Sequence, residues 1–125
     1  MLIKNLDSCK EIIANDGSIL REIFSPLKDN VNIRYSLALA KVKAKEITKR
    51  HRLKSTEVYF ILQGKGIMYI DNEAAEVKKG DIIYIPPNSI QRIENIGEKD
   101  LIFLCIVDPA WKEENEEILN DYYSK

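Results

Sequence analysis

The feature that most constrains this chain is a run of short, period-two segments broken by turn residues. Residues 18–24 and 32–43 alternate polar and apolar side chains, which is the pattern of a strand with one buried face. Residues 58–63 and 67–70 flank Gly64-Lys65-Gly66, and Asp71-Asn72-Glu73 precedes a further strand at 75–78. Lys79-Gly80-Asp81 introduces 82–85, Pro86-Pro87-Asn88 breaks the chain, and strands resume at 90–95 and 101–107. Short strands recurring at intervals of roughly ten residues predict an all-β sandwich or barrel. The segment LDSCKEIIAN is expected to begin a helix capped at Asp7 or Ser8, with Asp16-Gly17 turning the chain. At the other end, residues 111–123 read as an amphipathic helix offering Trp111, Ile118, Leu119 and Tyr122 to the barrel.

With 125 residues and neither a repeat nor a Pro/Gly/Ser linker, one domain spanning 1–125 is expected, its barrel core at about 18–107. A composition 45% hydrophobic and 31% charged supports a packed core. The net charge of −1 offers no general attraction for nucleic acid or anionic membrane. The basic stretch from Lys41 to Lys54 alternates with apolar residues and reads as the solvated face of a strand. No run reaches membrane-spanning length, and residues 1–7 lack a signal-like apolar segment. Cys9 and Cys105 are isolated thiols, so a cytoplasmic protein with reduced cysteines is expected.

Strand 32–43 bears on function. One parity carries Arg34, Ser36, Ala38 and Ala40, and the other Ile33, Tyr35, Leu37 and Leu39. A small-residue face turned inward would leave room for a ligand; turned outward, it would pack on a second subunit. Both remain open from the sequence.

Residues 51–64, HRLKSTEVYFILQG, resemble the first conserved motif of the cupin superfamily, with His51, Glu57 and Gly64 at matching spacings and Leu53 in place of the second His. Residues 80–95, GDIIYIPPNSIQRIEN, resemble the second motif: Gly80, Pro86 and Asn95 match, Asn88 replaces a Gly, and Gln91 replaces a His. The resemblance implies a cupin-type double-stranded β-helix, or jelly-roll, barrel followed by the short C-terminal helix. It also implies a metal site in which three His and one Glu hold Fe, Mn, Ni, Zn or Cu. Carried over, it leaves His51, Glu57 and Gln91 as an incomplete set, since Leu53 has no donor and Gln91 offers only a neutral amide oxygen. Sugar-phosphate isomerases of the superfamily carry a Gln two residues before the first His, where this chain has Lys49.

Two cofactor states therefore stand open: a divalent transition metal at this set, or none, with the same residues serving an organic ligand. Glu57 is the candidate acid/base, because a carboxylate buried without metal must hydrogen-bond or gain a proton. Strand parity adds Tyr59 beside Glu57, and Tyr59, Gln91 and Arg34 are the candidate ligand-binding residues. Cys105 shares parity with Phe103 and Val107 and reads as a small buried hydrophobe. The expected function is small-molecule chemistry on a sugar or carbonyl/enol metabolite, of isomerase, epimerase or dioxygenase type. The alternatives are a metabolite-binding sensor without turnover, or a structural module with an empty pocket. A homodimer is expected, since a small β-domain otherwise leaves sheet edges exposed.

Overall fold

The computed structural model describes residues 1–119. Two antiparallel sheets face one another. The first is built from β1 (Glu11–Ile13), β2 (Ile19–Phe24), β3 (Ser36–Val42), β5 (Thr56–Gln63), β8 (Ile82–Ile85) and β10 (Leu101–Asp108), in the order β1-β2-β3-β10-β5-β8. The second comprises β4 (His51–Leu53), β6 (Lys65–Ile70), β7 (Glu73–Lys78), β9 (Gln91–Asn95) and β11 (Glu116–Ile118), in the order β11-β4-β9-β6-β7. Consecutive strands repeatedly cross between sheets, as in a jelly roll.

The period-two segments become β2, β3 and β5 to β10, with ends shifted by a few residues. Three short strands escaped the pattern. β1 and β11 are three residues each, too short for alternation to register, and both occupy segments expected to be helical. Near the N-terminus only a 3-10 turn forms, Leu6–Ser8, and its cap is Asn5, whose side chain accepts from the Asp7 N–H at 2.9 Å. In the expected C-terminal helix, Glu113–Asn115 is a 3-10 turn and Glu116–Ile118 is a strand paired with β4. Pairing there satisfies the outer edge of β4, a gain that a helix in the same place would forgo. The remainder of that expected helix, including Tyr122, lies outside the described residues.

The motif residues have structural reasons. Asn95 is 1% exposed; its Nδ2 donates to the Val42 and Lys99 carbonyls, and its Oδ1 accepts from the Gly97 N–H. It ties β9 to the end of β3 and to the turn before β10. Asn88 has φ 65°, a left-handed conformation that Asn tolerates better than most residues, so its replacement of Gly keeps the turn. Gly66 stands so close to the Glu94 carbonyl across β6–β9 that a Cβ would collide with it.

The core fills one end of the barrel. Ile61, Ile85, Ile93 and Leu101 are at most 1% exposed and pack with Val42, Met68 and Val77. Two residues further along β3, β5 and β10 the inward side chains shrink or become polar, and the interior opens.

Candidate functional site: a carboxylate-lined cavity at one end of the barrel

The open end encloses a cavity of about 160 Å³. Its floor comes from the inward parity of three adjacent strands: Ser36, Ala38 and Ala40 on β3, Phe103, Cys105 and Val107 on β10, and Glu57 and Tyr59 on β5. The small-residue face of β3 thus turns inward, while Leu37 and Leu39 face out. Ala38 and Ala40 are what make the space, since a Leu at either position would fill it.

Glu57 is 5% exposed and yet borders the cavity. One of its oxygens, Oε1, accepts from Gln91 Nε2 at 2.6 Å, and Gln91 Oε1 accepts from the Tyr59 hydroxyl at 3.0 Å. Both ends of the Gln91 amide are therefore occupied, and the side chain stands behind the wall formed by Glu57 and Tyr59 rather than on the cavity surface. Gln91 positions the carboxylate. Burial pushes the Glu57 pKa up to about 7, partly offset by the Gln91 hydrogen bond and by the nearby His51. The Asp16 and Glu116 carboxylates push it the same way as burial. Burial also raises Tyr59 and Cys105 well above their ordinary values, which keeps the phenol and the thiol protonated. The Tyr59 ring lies 4.5 Å from that of Phe103 and forms the apolar side of the pocket.

His51 enters from β4 with Nδ1 2.8 Å from the Lys49 carbonyl. A carbonyl only accepts, so the proton sits on Nδ1 and Nε2 is left toward the cavity. There Nε2 faces Asp16 Oδ2 at 3.8 Å. Asp16 is aimed by its turn: Oδ1 accepts from the Ser18 N–H at 2.9 Å and the Ser18 hydroxyl at 2.7 Å. Glu116 closes the wall with its Oε1 held by Asn15 at 2.9 Å, and Trp111 borders the same cavity. At the mouth, Lys28 and Glu22 pair at 2.9 Å.

Three of the expected site residues meet: His51, Glu57 and Tyr59 all line the cavity. Gln91 touches two of them from behind. Arg34 does not belong with them. β3 begins only at Ser36, so the alternation that grouped Arg34 with the small-residue face does not extend to it. Its side chain is 80% exposed and reaches Asp108 at 3.5 Å. Asp16, Glu22 and Glu116 were missed. Asp16 registered only as part of an Asp-Gly turn, and Glu116 as one acid in an amphipathic tail.

The donor set does not fit a resident metal. Leu53, 4% exposed against the cavity, brings carbon where the motif brings imidazole. Gln91, at the other substituted position, has its only acceptor oxygen facing the Tyr59 hydroxyl. Among the described residues no three His, Cys, Asp or Glu side chains converge to hold an ion. What remains is a carboxylic acid near neutrality, an imidazole nitrogen and an apolar wall, which is equipment for proton transfer.

An all-β jelly-roll barrel hollow at one end, with the two spaced motifs on its wall, defines a small barrel protein with an internal cavity. The cupin domain family matches residues 38–107, and the chain belongs to that family. It is 44% identical over 114 residues to an uncharacterized protein of Methanocaldococcus jannaschii, covering 90% of each chain. It is 40% identical over 68 residues to a glucose-6-phosphate isomerase of Thermococcus litoralis, covering 48% of this chain and 36% of that enzyme. In three dimensions it resembles the polyketide cyclase RemF of Streptomyces resistomycificus, with a TM-score of 0.79 at 16% identity over 96% of this chain and 86% of that one. The last likeness is one of fold. No helix among the described residues is long and apolar enough to cross a membrane.

Proposed function

We propose that the chain binds a small uncharged carbonyl or polyol metabolite in the hollow end of its barrel and shifts a proton on it through Glu57, without a resident metal. The observation that carries this reading is Glu57 itself: buried, bordering the cavity, fixed at one oxygen by Gln91, and held near pH 7. A base of that strength is ionised enough at neutral pH to take a proton and acidic enough to return it. The carboxylate removes a proton from the hydroxyl-bearing carbon beside a carbonyl, the C–H electron pair forms an enediolate, the hydroxyl proton passes to the former carbonyl oxygen, and the protonated Glu57 delivers its proton to the former carbonyl carbon. The net change is aldose–ketose isomerisation. His51 Nε2, the unprotonated nitrogen of the neutral ring, is an acceptor available to a ligand hydroxyl.

Size and charge narrow the ligand. A cavity of about 160 Å³ compares with the ~150 Å³ space that holds a benzene ring, so a molecule of three to five carbons fits and a hexose phosphate does not. Asp16, Glu22, Glu57 and Glu116 border the space, and among the described residues the one lysine there is bound to Glu22. Phosphate or dicarboxylate ligands would meet mostly like charge. The substrate class of the isomerase relative therefore transfers as chemistry, aldose to ketose, and not as its phosphorylated form. Two buried, unpaired thiols fit a reducing compartment, and we infer a cytoplasmic protein.

A second reading, a metabolite-binding barrel without turnover, is favoured by the Gln91 hydrogen bond, which occupies one of the two Glu57 oxygens at rest. Proton NMR in deuterium oxide separates them, with trioses, tetroses and hydroxyacetone offered as probes. Isomerisation predicts deuterium entering at the carbon beside the carbonyl, and loss of that exchange by at least a hundredfold in Glu57→Gln. Binding with no exchange above the buffer rate would leave only the second reading.

A further inference from the structure

His51 and Asp16 turn two acceptors toward each other on the wall of the cavity. The Lys49 carbonyl, 2.8 Å from Nδ1, fixes the ring proton there and leaves Nε2 with a lone pair. Asp16 Oδ2 stands 3.8 Å from that nitrogen, too far for a direct hydrogen bond, and a carboxylate oxygen only accepts. The two side chains are 4% and 13% exposed, and both border the cavity. Among the described residues neither atom receives a hydrogen bond. Ser18 gives its N–H and its hydroxyl to Oδ1, the other Asp16 oxygen. Buried polar atoms are ordinarily paired, so two facing lone pairs call for donors from outside the chain. The arrangement is also held in place. The Lys49 N–H donates to the Asp16 carbonyl at 2.8 Å while the Lys49 carbonyl takes the His51 proton. Neither acceptor can turn away without breaking a bond to Lys49 or Ser18.

We propose that His51 and Asp16 form a slot for a vicinal diol, with Asp16 as the residue that selects for it. A single hydroxyl has one proton and satisfies one acceptor; hydroxyls on two adjacent carbons, held gauche, satisfy both. An alkyl group in the same place would leave both lone pairs buried and unpaired, and a site built to hydrogen-bond a hydroxyl discriminates strongly against its absence. For the rest of the ligand the slot rests on the isomerase reading, which it narrows. The carbonyl and its hydroxyl-bearing neighbour occupy two carbons at Glu57, and the diol takes two more. The ligand is then a four-carbon aldose or ketose, a length that suits the cavity of about 160 Å³. A triose is one hydroxyl short.

Isothermal titration of the full chain with erythrulose and with 1-hydroxy-2-butanone tests the slot. Both have four carbons and the same hydroxyketone end, and only erythrulose carries the diol. The wild type should bind erythrulose more tightly by about tenfold or more. Asp16→Asn keeps an oxygen for Ser18 and turns an amide N–H toward Nε2, so the slot closes on itself and the preference should vanish. If that variant fails to fold, the wild type supplies the answer, because His51 is the single histidine of the chain and its ring nitrogens are unambiguous by NMR. The Nε2 resonance should move with erythrulose and stay in place with 1-hydroxy-2-butanone. Affinity is read here and proton exchange in the isomerase test, so binding without turnover would keep the slot and remove only the reaction. Equal affinity for the two ketones would overturn the proposal, as would no binding of erythrulose, a preference that survives Asp16→Asn, or an Nε2 resonance that erythrulose leaves unmoved. So would displacement of erythrulose by ethanolamine at a lower concentration than by ethylene glycol, since the acceptors would then be set for an ammonium.

Discussion

The two ends of the barrel are made by the same strands and differ only in what those strands point inward. On β5 the inward residues are Ile61 at one end and Glu57 and Tyr59 at the other. On β10 Leu101 gives way to Phe103, Cys105 and Val107, and on β3 Val42 gives way to Ala40, Ala38 and Ser36. The first end excludes water and holds the sheets together by apolar burial. The second gives up that contact and keeps a buried carboxylate instead, which destabilises the fold. Stability and chemistry are thus separated along each strand by about two residues.

This contrast can be broken from either side, and the largest effect is expected at the solid end. Leu101→Ala, at a position with no exposed surface, should cost about 3–5 kcal/mol in urea unfolding. It should leave the ligand preference unchanged where the protein remains folded. A loss below about 1 kcal/mol would mean that the solid end is not what holds the barrel.

Glu57→Gln should act in the opposite direction. The folded-state pKa of Glu57 is raised from 4.5 to about 7. Stability associated with the neutral acid is therefore fully present below about pH 4.5 and is lost as pH rises through about 7. The amide variant stays neutral throughout. It should match the wild type near pH 4.5 and exceed it at pH 8 by on the order of 2–3 kcal/mol, while losing proton exchange. Equal pH dependence in both proteins would show that Glu57 does not titrate in this window.

Tyr59→Phe removes the donor to Gln91 Oε1 and leaves a buried acceptor unpaired, at about 1–2 kcal/mol. Because Gln91 in turn fixes Glu57, the pH profile of exchange should shift as well. An unmoved profile would make the Tyr59–Gln91–Glu57 chain a packing feature only. The smallest stability effect is expected for Ala38→Leu, within about 1 kcal/mol, since the added carbons enter empty space. Isothermal titration should then show ligand binding gone; retained affinity would move the binding site elsewhere.

Much of this was legible beforehand. Period-two alternation marks β2, β3 and β5 to β10 because each has one face in and one face out, and a strand of five or more residues repeats that contrast. The spacing from His51 to Glu57 to Gly64 marks two residues that line the cavity, His51 and Glu57. Parity along β5 added Tyr59. Parity failed at Arg34, since alternation says nothing about where a strand begins, and β3 begins two residues later. The tail was misjudged for a related reason. A three-residue strand has no period, and only its partner β4 reveals what it is.

The sequence by itself determined the fold class, the site of the turns, and the loss of two imidazoles from the motif, because these follow from side-chain chemistry and local spacing. Tertiary structure alone decided that Gln91 stands behind the wall and that Asp16 and Glu116 join Glu57. It also decided that the small face of β3 turns inward and its leucine face outward. Those outcomes depend on which strands become neighbours, and pairing across 34 residues, as between Gln91 and Glu57, is set by the closure of the whole barrel rather than by any segment of it.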